Sequence, residues 1–480
     1  MVGGMRSAFF DQALRALVLA GALVVVTLLT CVPLSSNDFW LQVTIGGMIW
    51  NTGEIPQTVL FPFSEVRDFP FHAHEWLSSV AFYLLYQGLG YDNLMFVKGA
   101  LGLASFALAY RLAYRLTSSF PVAVLLALVT MTAINFRYFM RPEIFACLFV
   151  LILLNLLVEY QLTRRWLYLA WLLPLSLVWA NSHGSFPVAL VIVAIFATGE
   201  AISARRIAPA MPLALAALAM AAAMLANPYG YRLFLFASDL LRWEVMQAFI
   251  IEWAPTFSPL FMQRRGFWPY VYLLAFCAAA VIVYRRNLGA TEILLLLAFG
   301  ILSADRQRHI VFFALVASYV LARLVGAGRD GGRRLAALLL ALIGVGAVAI
   351  ARHGNLYEAF PYQTPSWRFS APLIEHIERA ELKGNVINSY ELGAELIHRF
   401  YPRLRPSIDS RIDAYGEMYF LHIQRILKDE QVLLKFIERY GVRYMLLLRR
   451  DFESVRRMEG LPRRGWRVQY ADHKMVLLGR

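Results

Sequence analysis

Long apolar runs recur through most of this chain and set the strongest limit on its fold. A helix needs about 20 mostly apolar residues to cross the hydrocarbon core of a bilayer. Such runs lie near residues 12–34, 93–116, 120–139, 142–163, 166–183, 185–203, 208–227, 267–284, 289–304, 308–325 and 334–352. The sequence therefore predicts a polytopic α-helical membrane protein with about 11 spans. A composition with 59% hydrophobic and 16% charged residues excludes a string of water-soluble domains, in which about a quarter of residues are charged.

Arginines between these runs predict which side of the membrane each loop faces. Short loops rich in Lys and Arg stay in the cytoplasm. A cytoplasmic N-terminus places several such arginine pairs inside, among them Arg111 and Arg115, Arg164 and Arg165, and Arg285 and Arg286. The run at 12–34 lacks a convincing cleavage site, so we expect it to remain as the first span. Residues 76–90 are expected to form a helix at the outer surface, because a span there would invert every later loop.

The composition changes near residue 354, after which charged residues become much more frequent. This shift predicts a transmembrane domain at 1–354, with an outer loop at 35–92, and a water-soluble α/β domain at 355–480. Strand patterns occur at 384–390, 405–411 and 442–448, helical patterns at 393–400 and 417–440, and a hairpin pattern at 466–480. An odd number of spans places this domain outside, which is the periplasm if the membrane is a bacterial inner membrane.

Polar and ionisable residues gather at the predicted outer ends of the spans, whereas the inner loops carry mostly arginine pairs. The outer set comprises Asp38, His72, His74, Glu75, Arg137, Arg141, Asn181, His183, Tyr229, Arg232, Glu252, Arg306, Arg308 and His309. Such groups are costly near membrane depth and usually face a cavity. Their distribution predicts a functional site at the outer membrane surface, in which Asp38 and Glu75 are the candidate catalytic residues and the others are candidate substrate-binding residues.

Each of these motifs also has an ordinary structural explanation. Asp38 fits equally well as the cap of an amphipathic helix over 39–52. Arg141-Pro142-Glu143 is typical of a helix start, with a proline in the first turn and an acid near the positive end of the dipole. The His183-Gly184 and Asn227-Pro228-Tyr229-Gly230 stretches are typical of turns.

Metal ligands are only weakly indicated. The stretch His72-Ala73-His74-Glu75 lacks the i, i+4 histidine spacing of zinc peptidases. The three cysteines, Cys31, Cys147 and Cys277, are an odd number in or beside apolar runs, which predicts neither a disulfide framework nor a cysteine metal site. The sequence thus identifies no metal ligands, although it allows a divalent cation, Mg or Mn, where acids meet phosphate.

Several stretches together carry a family resemblance that covers nearly the whole chain. They are DFWLQVTIGGMIWNTGEIPQTVLFPFS from residue 38, HEWLSSVAFYLLY from 74, RPEIF from 141, WANSHGSF from 179 and NPYGYR from 227. These stretches resemble bacterial multi-span proteins related to the GT-C glycosyltransferases, a superfamily that includes the protein O-mannosyltransferases and the lipid A aminoarabinose transferase. The tail VINSYELGAELIHRFYPRLRPSIDSRIDAYG is similar to the soluble domain that ends many of the bacterial proteins.

The resemblance implies an inverting glycosyltransferase whose donor is a sugar on a polyprenyl phosphate. In the GT-C pattern an essential Asp follows the first span, on a loop with helices along the membrane surface. Asp38 and the helix 39–52 match this arrangement. The family often has two adjacent acids, whereas Asp38 lies between Asn37 and Phe39, so Glu75 is the candidate second acid.

The resemblance also suggests a role for each group of residues. Asp38 would act as general base toward an acceptor hydroxyl, and His74 and Glu75 would orient the acceptor, the sugar or Asp38. Guanidinium groups would stabilise the leaving phosphate, with Arg141 and Arg308 preferred over Arg137 and Arg306. The acceptor is left open between a protein, a lipid and a polysaccharide, and no nucleic-acid partner is expected.

Two other functions stay open at this point. A transporter or flippase of lipid-linked sugars would carry polar groups at mid-membrane, of which the sequence shows few, namely Asn155 and Glu159. A non-catalytic binding protein of GT-C shape is the other, because the adjacent acid pair is missing. In the tail, Asp409, Arg411 and Asp413 suggest either a ligand site or, more often for such clusters, a structural salt-bridge network.

Overall fold

The computed structural model describes residues 2–32, 34, 36–240, 250–264, 266–326 and 369–480, without the side chains of residues 2–10, 240 and 251. The chain forms two compact units. The first comprises the described parts of Met1–Leu34, Tyr91–Phe234 and Glu244–Tyr362, and the second those of Ser35–Gly90, Leu235–Trp243 and Gln363–Arg480. The first predicted outer loop therefore belongs to the same unit as the C-terminal segment.

Helices make up most of the described chain. In chain order they are α1 (Val2–Thr30), α2 (Asp38–Thr52), α3 (Trp76–Thr117), α4 (Phe120–Ile134), α5 (Glu143–Thr163), α6 (Leu167–Ala170), α7 (Leu172–Ser182), α8 (Pro187–Ala204), α9 (Met211–Met224), α10 (Arg232–Leu240), α11 (Pro259–Met262), α12 (Phe267–Val283), α13 (Ala290–Asp305), α14 (Ile310–Gly326), α15 (Ala371–Arg379), α16 (Gly393–Phe400), α17 (Ile412–Tyr415), α18 (Glu417–Ile426), α19 (Glu430–Tyr440), α20 (Arg449–Val455) and α21 (Gly460–Arg463).

The predicted spans within the described residues are largely helical. Among the described residues, six helices are long and apolar enough to cross a membrane, and shorter apolar helices lie at Leu167–Ser182, Ala208–Met224 and Phe267–Val283. These helices confirm a membrane protein of mainly helical structure. The predicted span at 334–352 lies outside the described residues, so the count of eleven stays a prediction.

Helix α3 is interrupted at one glycine. Its 42 residues contain a break at Gly90, whose φ of 73° and ψ of 168° are not helical. Glycine reaches positive φ at little steric cost because it has no Cβ. The predicted separation of a helix over 76–90 from a span starting near 93 is confirmed, and the boundary between the two units falls at the same place. The placement of residues 76–89 along a membrane surface stays a prediction.

One five-stranded sheet forms the centre of the C-terminal segment. Its strands are β1 (Gly384–Asn388), β2 (Leu404–Pro406), β3 (Val442–Leu448), β4 (Arg467–Ala471) and β5 (Met475–Gly479), in the order β2-β1-β3-β5-β4. Strand β1 is parallel to β2 and β3, while β5 is antiparallel to β3 and β4. Helices α15 and α16 pack on this sheet through buried residues such as Leu373 and Leu396, which confirms the predicted α/β domain.

Two predicted elements of the tail differ from the structure. The strand expected over 405–411 ends at Pro406, because Asp409 accepts a hydrogen bond from the Arg411 backbone N–H at 3.0 Å and turns the chain. The helix expected over 417–440 is split in two, because Asp429 caps α19 by accepting from the backbone N–H groups of Gln431 and Val432.

Candidate functional site

Asp38 begins helix α2 in the second unit. Asn37 holds the N-cap position and makes no side-chain capping hydrogen bond. The suggestion that Asp38 is the cap is therefore wrong by one residue. A carboxylate in the first turn is stabilised by the positive end of the helix dipole.

Close helix packing ties Glu75 to this helix. Gly46 lies so near α3 that a Cβ there would stand 2.0 Å from the Ser79 carbonyl oxygen. The Gln42 side chain, one turn after Asp38, donates from Nε2 to Glu75 Oε2 at 2.8 Å and accepts from the Ser79 hydroxyl. The acid that sequence reasoning chose as the second carboxylate is thus fixed against the helix that Asp38 begins.

Two histidines lie beside Glu75. His74 Nε2 is 3.7 Å from Glu75 Oε1, and His74 Nδ1 is 3.1 Å from the His72 carbonyl oxygen. A carbonyl only accepts, so Nδ1 carries the hydrogen and Nε2 is directed toward the carboxyl group. Both imidazole rings contact Phe236, each with its centroid 5.1 Å from that ring.

The carboxyl group of Glu75 has a perturbed proton affinity. Burial, with the added effect of the charges of Asp413 and Asp38, raises its pKa to about 7 against the opposing effects of His74 and Gln42. Burial also raises the pKa of Asp413, which His74 and Arg411 oppose. We call Asp38, His74, Glu75 and Asp413 the acid cluster. A carboxyl with a pKa near 7 can both give and take a proton at neutral pH.

Asp413 reaches this cluster because Arg411 anchors its segment to the first loop. Arg411 is buried and holds Asp409 through Nε and Nη2 at 3.0 and 2.6 Å. Its Nη2 also donates to the Val59 carbonyl at 2.8 Å, and its guanidinium lies 4.7 Å from the Phe71 ring centroid. The salt bridge expected from the sequence is confirmed for Asp409 and Arg411.

The sequence left Asp413 either in a ligand site or in that salt-bridge network, and its interaction with Glu75 and His74 was not predicted. The two carboxyl groups are far apart in sequence, and no local pattern joins them. The one available signal was the position of Asp413 two residues after an arginine that must be paired if it is buried.

A second contact missed by sequence reasoning holds helix α2 against α16. The His398 ring stacks on Trp40 with centroids 4.6 Å apart, and its Nδ1 lies 3.1 Å from the Thr44 hydroxyl. Burial, together with the charge of Arg399, lowers the pKa of His398 to about 4. His398 is therefore neutral at physiological pH and acts as a packing and hydrogen-bonding group.

The first unit contains a separate group of charged side chains, which we call the arginine cluster: Arg137, Arg141, Glu143, Glu252 and Arg308. Arg137 is buried and binds both carboxylate oxygens of Glu143, with Nη2 at 2.6 Å from Oε2. The same Nη2 is 3.2 Å from Glu252, and Arg141 forms an ion pair with Glu252. Helix α5 starts at Glu143, so the helix-start explanation is confirmed alongside this pairing.

Glu252 is held in its charged form by its neighbours. Burial alone would raise its pKa, but Arg137, Arg141 and Arg308 outweigh burial and hold the pKa well below its usual range. The Arg308 guanidinium lies 4.0 Å from the ring centroid of Trp253, which fixes its position beside the Glu252 loop. Three guanidiniums and two carboxylates leave one surplus positive charge, an arrangement suited to an anion.

Arg306 and His309, two other outer-end candidates of this unit, have local partners. Arg306 pairs with Asp305 at 3.4 Å, and His309 Nδ1 lies 3.1 Å from the Leu302 carbonyl oxygen. Arg232 is exposed at the start of α10. No ligand-binding role is visible in these contacts, and the role predicted for each residue stays a prediction.

The turn explanations are confirmed for two further motifs. His183 Nδ1 lies 2.7 Å from the Ser185 hydroxyl and accepts from the Ser185 backbone N–H at 3.1 Å. Asn227 accepts from the Tyr229 backbone N–H at 2.8 Å, which closes the turn. Asn181 is buried and donates to two backbone carbonyls. Substrate binding by these residues likewise stays a prediction.

Within the described part of the chain, no group of three His, Cys, Asp or Glu side chains is arranged to hold a metal ion. The acid cluster supplies suitable oxygen and nitrogen donors but not a three-ligand set.

The sequence matches no protein-family model and no curated protein. The structure is similar to solved structures of the oligosaccharyltransferase from the archaeon Archaeoglobus fulgidus. A complex of that protein, AglB, with an inhibitory peptide and a dolichol-phosphate has a TM-score of 0.60 at 12% identity, covering 92% of this chain and 70% of the other. A form tethered to an acceptor peptide containing the NVT sequon has a TM-score of 0.58 at 14% identity, covering 92% and 69%. A complex with Zn and sulfate has a TM-score of 0.57 at 14% identity, covering 90% and 68%.

At these identities the likeness concerns the fold, and it extends over nine-tenths of the chain. The chain has the fold seen in these structures of the archaeal oligosaccharyltransferase.

Proposed function

We propose that this protein is a glycosyltransferase that moves a sugar from a polyprenyl-phosphate donor to an acceptor at the periplasmic face of a bacterial inner membrane. The observation that carries the proposal is the acid cluster, in which Glu75, with a pKa near 7, is tied to the helix that Asp38 begins. The fold shared with an oligosaccharyltransferase supports the same class of reaction.

The likeness to the archaeal protein supports the nature of the substrates. One similar structure contains a dolichol-phosphate and another an acceptor peptide. A lipid-linked phosphate donor fits a chain with apolar helices long enough to cross a membrane, because the lipid stays in the bilayer while the sugar lies at its surface.

Asp38 is the proposed general base. It takes the proton of the acceptor hydroxyl as that oxygen attacks the anomeric carbon, while the bond between this carbon and the phosphate oxygen breaks. A positioned base contributes about 10² to 10⁴ in rate. Glu75, partly protonated at neutral pH, donates a hydrogen bond that orients the acceptor or the sugar. This single displacement inverts the anomeric carbon.

Arg141 and Arg308 are the proposed binding groups for the donor phosphate. Both interact with Glu252, and a planar guanidinium can hold two phosphate oxygens at once. Arg137 is less suited to this role, because it is buried and bound to Glu143. The positive charge would stabilise the phosphate as it leaves.

A divalent cation, Mg or Mn, is compatible with these steps. The Zn in a complex of the archaeal protein supports a cation in a protein of this fold. The proton and phosphate steps above describe only what the side chains of this chain do.

The test compares Asp38→Asn with Asp68→Asn, an exposed acid on the same loop whose side chain is 82% accessible. Purified protein in nanodiscs receives a labelled polyprenyl-phosphate sugar and candidate acceptors, and both donor binding and product are measured. Asp38→Asn should abolish transfer while binding persists, and Asp68→Asn should retain full activity. Full activity of Asp38→Asn would remove the base from the scheme.

The same assay tests the other candidate functions. A wild-type protein that binds the donor and never turns it over would support a non-catalytic binding protein. A transporter gains no support from the polar pair at Asn155 and Glu159, because both side chains are bound by Arg111.

A further inference from the structure

A second charged site lies at the ends of helices α3 and α5, in the first unit. Arg115 binds both oxygens of Glu159, with Nε at 2.7 Å from Oε1 and Nη2 at 2.9 Å from Oε2. Arg111 donates to the Glu159 and Asn155 side chains, each at 2.7 Å. Asn155 in turn donates to the Leu108 and Leu151 carbonyls, which fixes its amide so that its oxygen faces Arg111. We call Arg111, Arg115 and Glu159 the arginine clamp.

The two arginines of the clamp carry more positive charge than Glu159 neutralises and more N–H donors than Glu159 and Asn155 accept. Two guanidiniums share one carboxylate, which leaves one surplus positive charge. The Glu159 side chain is only 6% accessible, whereas those of Arg111 and Arg115 are 48% and 43% accessible. Each guanidinium has five N–H groups, and of these each arginine uses two in bonds to the described residues. The remaining N–H groups therefore belong to guanidiniums that the buried Glu159 holds in place and that are accessible at the surface.

Aromatic side chains line the neighbouring ridge of α3. Tyr110 and Tyr114 stack with ring centroids 5.7 Å apart, and Tyr110 contacts Phe120. Each tyrosine immediately precedes a clamp arginine in the sequence, so the aromatic and cationic ridges run side by side. The Arg15 guanidinium lies 5.9 Å from the Phe120 ring centroid. Tyrosines beside arginines at the ends of apolar helices are typical of the membrane–water interface.

We propose that the arginine clamp binds the phosphate of an anionic phospholipid headgroup. The two guanidiniums, preorganised by Glu159, grip the phosphate oxygens, and the tyrosine ridge packs against the upper part of the acyl chains. The lipid phosphate supplies the negative charge that the surplus cation lacks. The site is independent of the proposed glycosyl transfer, because the argument uses none of the residues of the acid or arginine clusters.

The test measures lipid retention on the full chain by native mass spectrometry, with phosphatidylglycerol against phosphatidylcholine and with inorganic phosphate as a separate probe. The main variant is Arg111→Gln/Arg115→Gln/Glu159→Gln, which leaves no buried carboxylate without its partner. Its preference for phosphatidylglycerol should fall about fivefold, the factor for one cationic charge at an anionic membrane surface. Arg115→Lys is the second variant, for use if the main variant folds poorly. It keeps the positive charge and loses the planar guanidinium, so its preference for phosphatidylglycerol should fall by less.

The matched control is Arg285→Gln/Arg286→Gln. Both arginines are exposed. They lie near the same end of α3 as the clamp, because the adjoining Asn287 donates to the Leu324 carbonyl and Gly326 packs against the last residues of α3. This control removes two charges, so a diffuse attraction to anionic lipid would make it the worse binder. Our proposal requires that it keep the wild-type preference. Equal preference in the wild type and the main variant would overturn the proposal, as would a larger loss in the control. Stabilisation by inorganic phosphate equal to that by the lipid would overturn the lipid assignment.

Discussion

Replacing Gly46 with alanine would place a carbon inside the crossing of α2 and α3. The added Cβ would stand 2.0 Å from the Ser79 carbonyl oxygen, 2.4 Å from its carbonyl carbon and 2.9 Å from the Val80 nitrogen. All three are backbone atoms, so no side-chain rotation can relieve the overlap. The helices would have to separate by about 1 Å to bring the oxygen contact even to 3.0 Å.

This separation has two calculable consequences. Overpacking of this kind lowers the free energy of unfolding by about 1 to 3 kcal/mol. The displacement also moves Ser79 and Glu75 relative to Gln42, whose hydrogen bonds join the two helices. If Glu75 positions a substrate group as proposed, a shift of about 1 Å costs about 10² in transfer rate.

Gly88→Ala is the matched control, because Gly88 is also helical and a Cβ there would meet nothing within 4 Å. It should be neutral or add up to about 1 kcal/mol of helix stability. Thermal unfolding in nanodiscs and the transfer assay, run on both variants, separate the effects. A Gly46→Ala protein as stable and as active as Gly88→Ala would refute the close crossing.

Two further perturbations test the acid cluster and its anchor. Glu75, whose pKa is raised from 4.5 to about 7, contributes stability that is present below pH 4.5 and lost as the pH rises through 7. Asp413→Asn removes a repelling charge and should lower the pKa of Glu75, so that the fall in melting temperature between pH 4.5 and 7 becomes smaller; an unchanged fall would contradict the interaction. Arg411→Ala leaves Asp409 buried without its cation and should cost about 3 to 5 kcal/mol, whereas exposed Arg405→Ala should change the melting temperature little.

The local parts of this fold could be predicted because they depend on local composition. Apolar runs of about 20 residues identify helices that satisfy their own backbone hydrogen bonds, so α4 and α5 appear almost where the sequence placed them. Strand β3 and the hairpin of β4 and β5 follow from runs of β-forming residues in the same way. Asp38 was identifiable because it directly follows the first such run.

The arrangement of the charged groups depended on tertiary structure. Burial and Coulombic interaction act between residues that are close in space, and the sequence does not state which residues those are. Arg411 bonding to Val59 brings Asp413 toward Glu75, and this contact changes the proton affinity of a carboxyl whose own sequence neighbours would leave it an ordinary acid. The sequence alone thus determined the helices, the strands and the residue types at their ends, whereas only the folded chain determined which carboxyl groups raise the pKa of one another and which guanidiniums are neutralised.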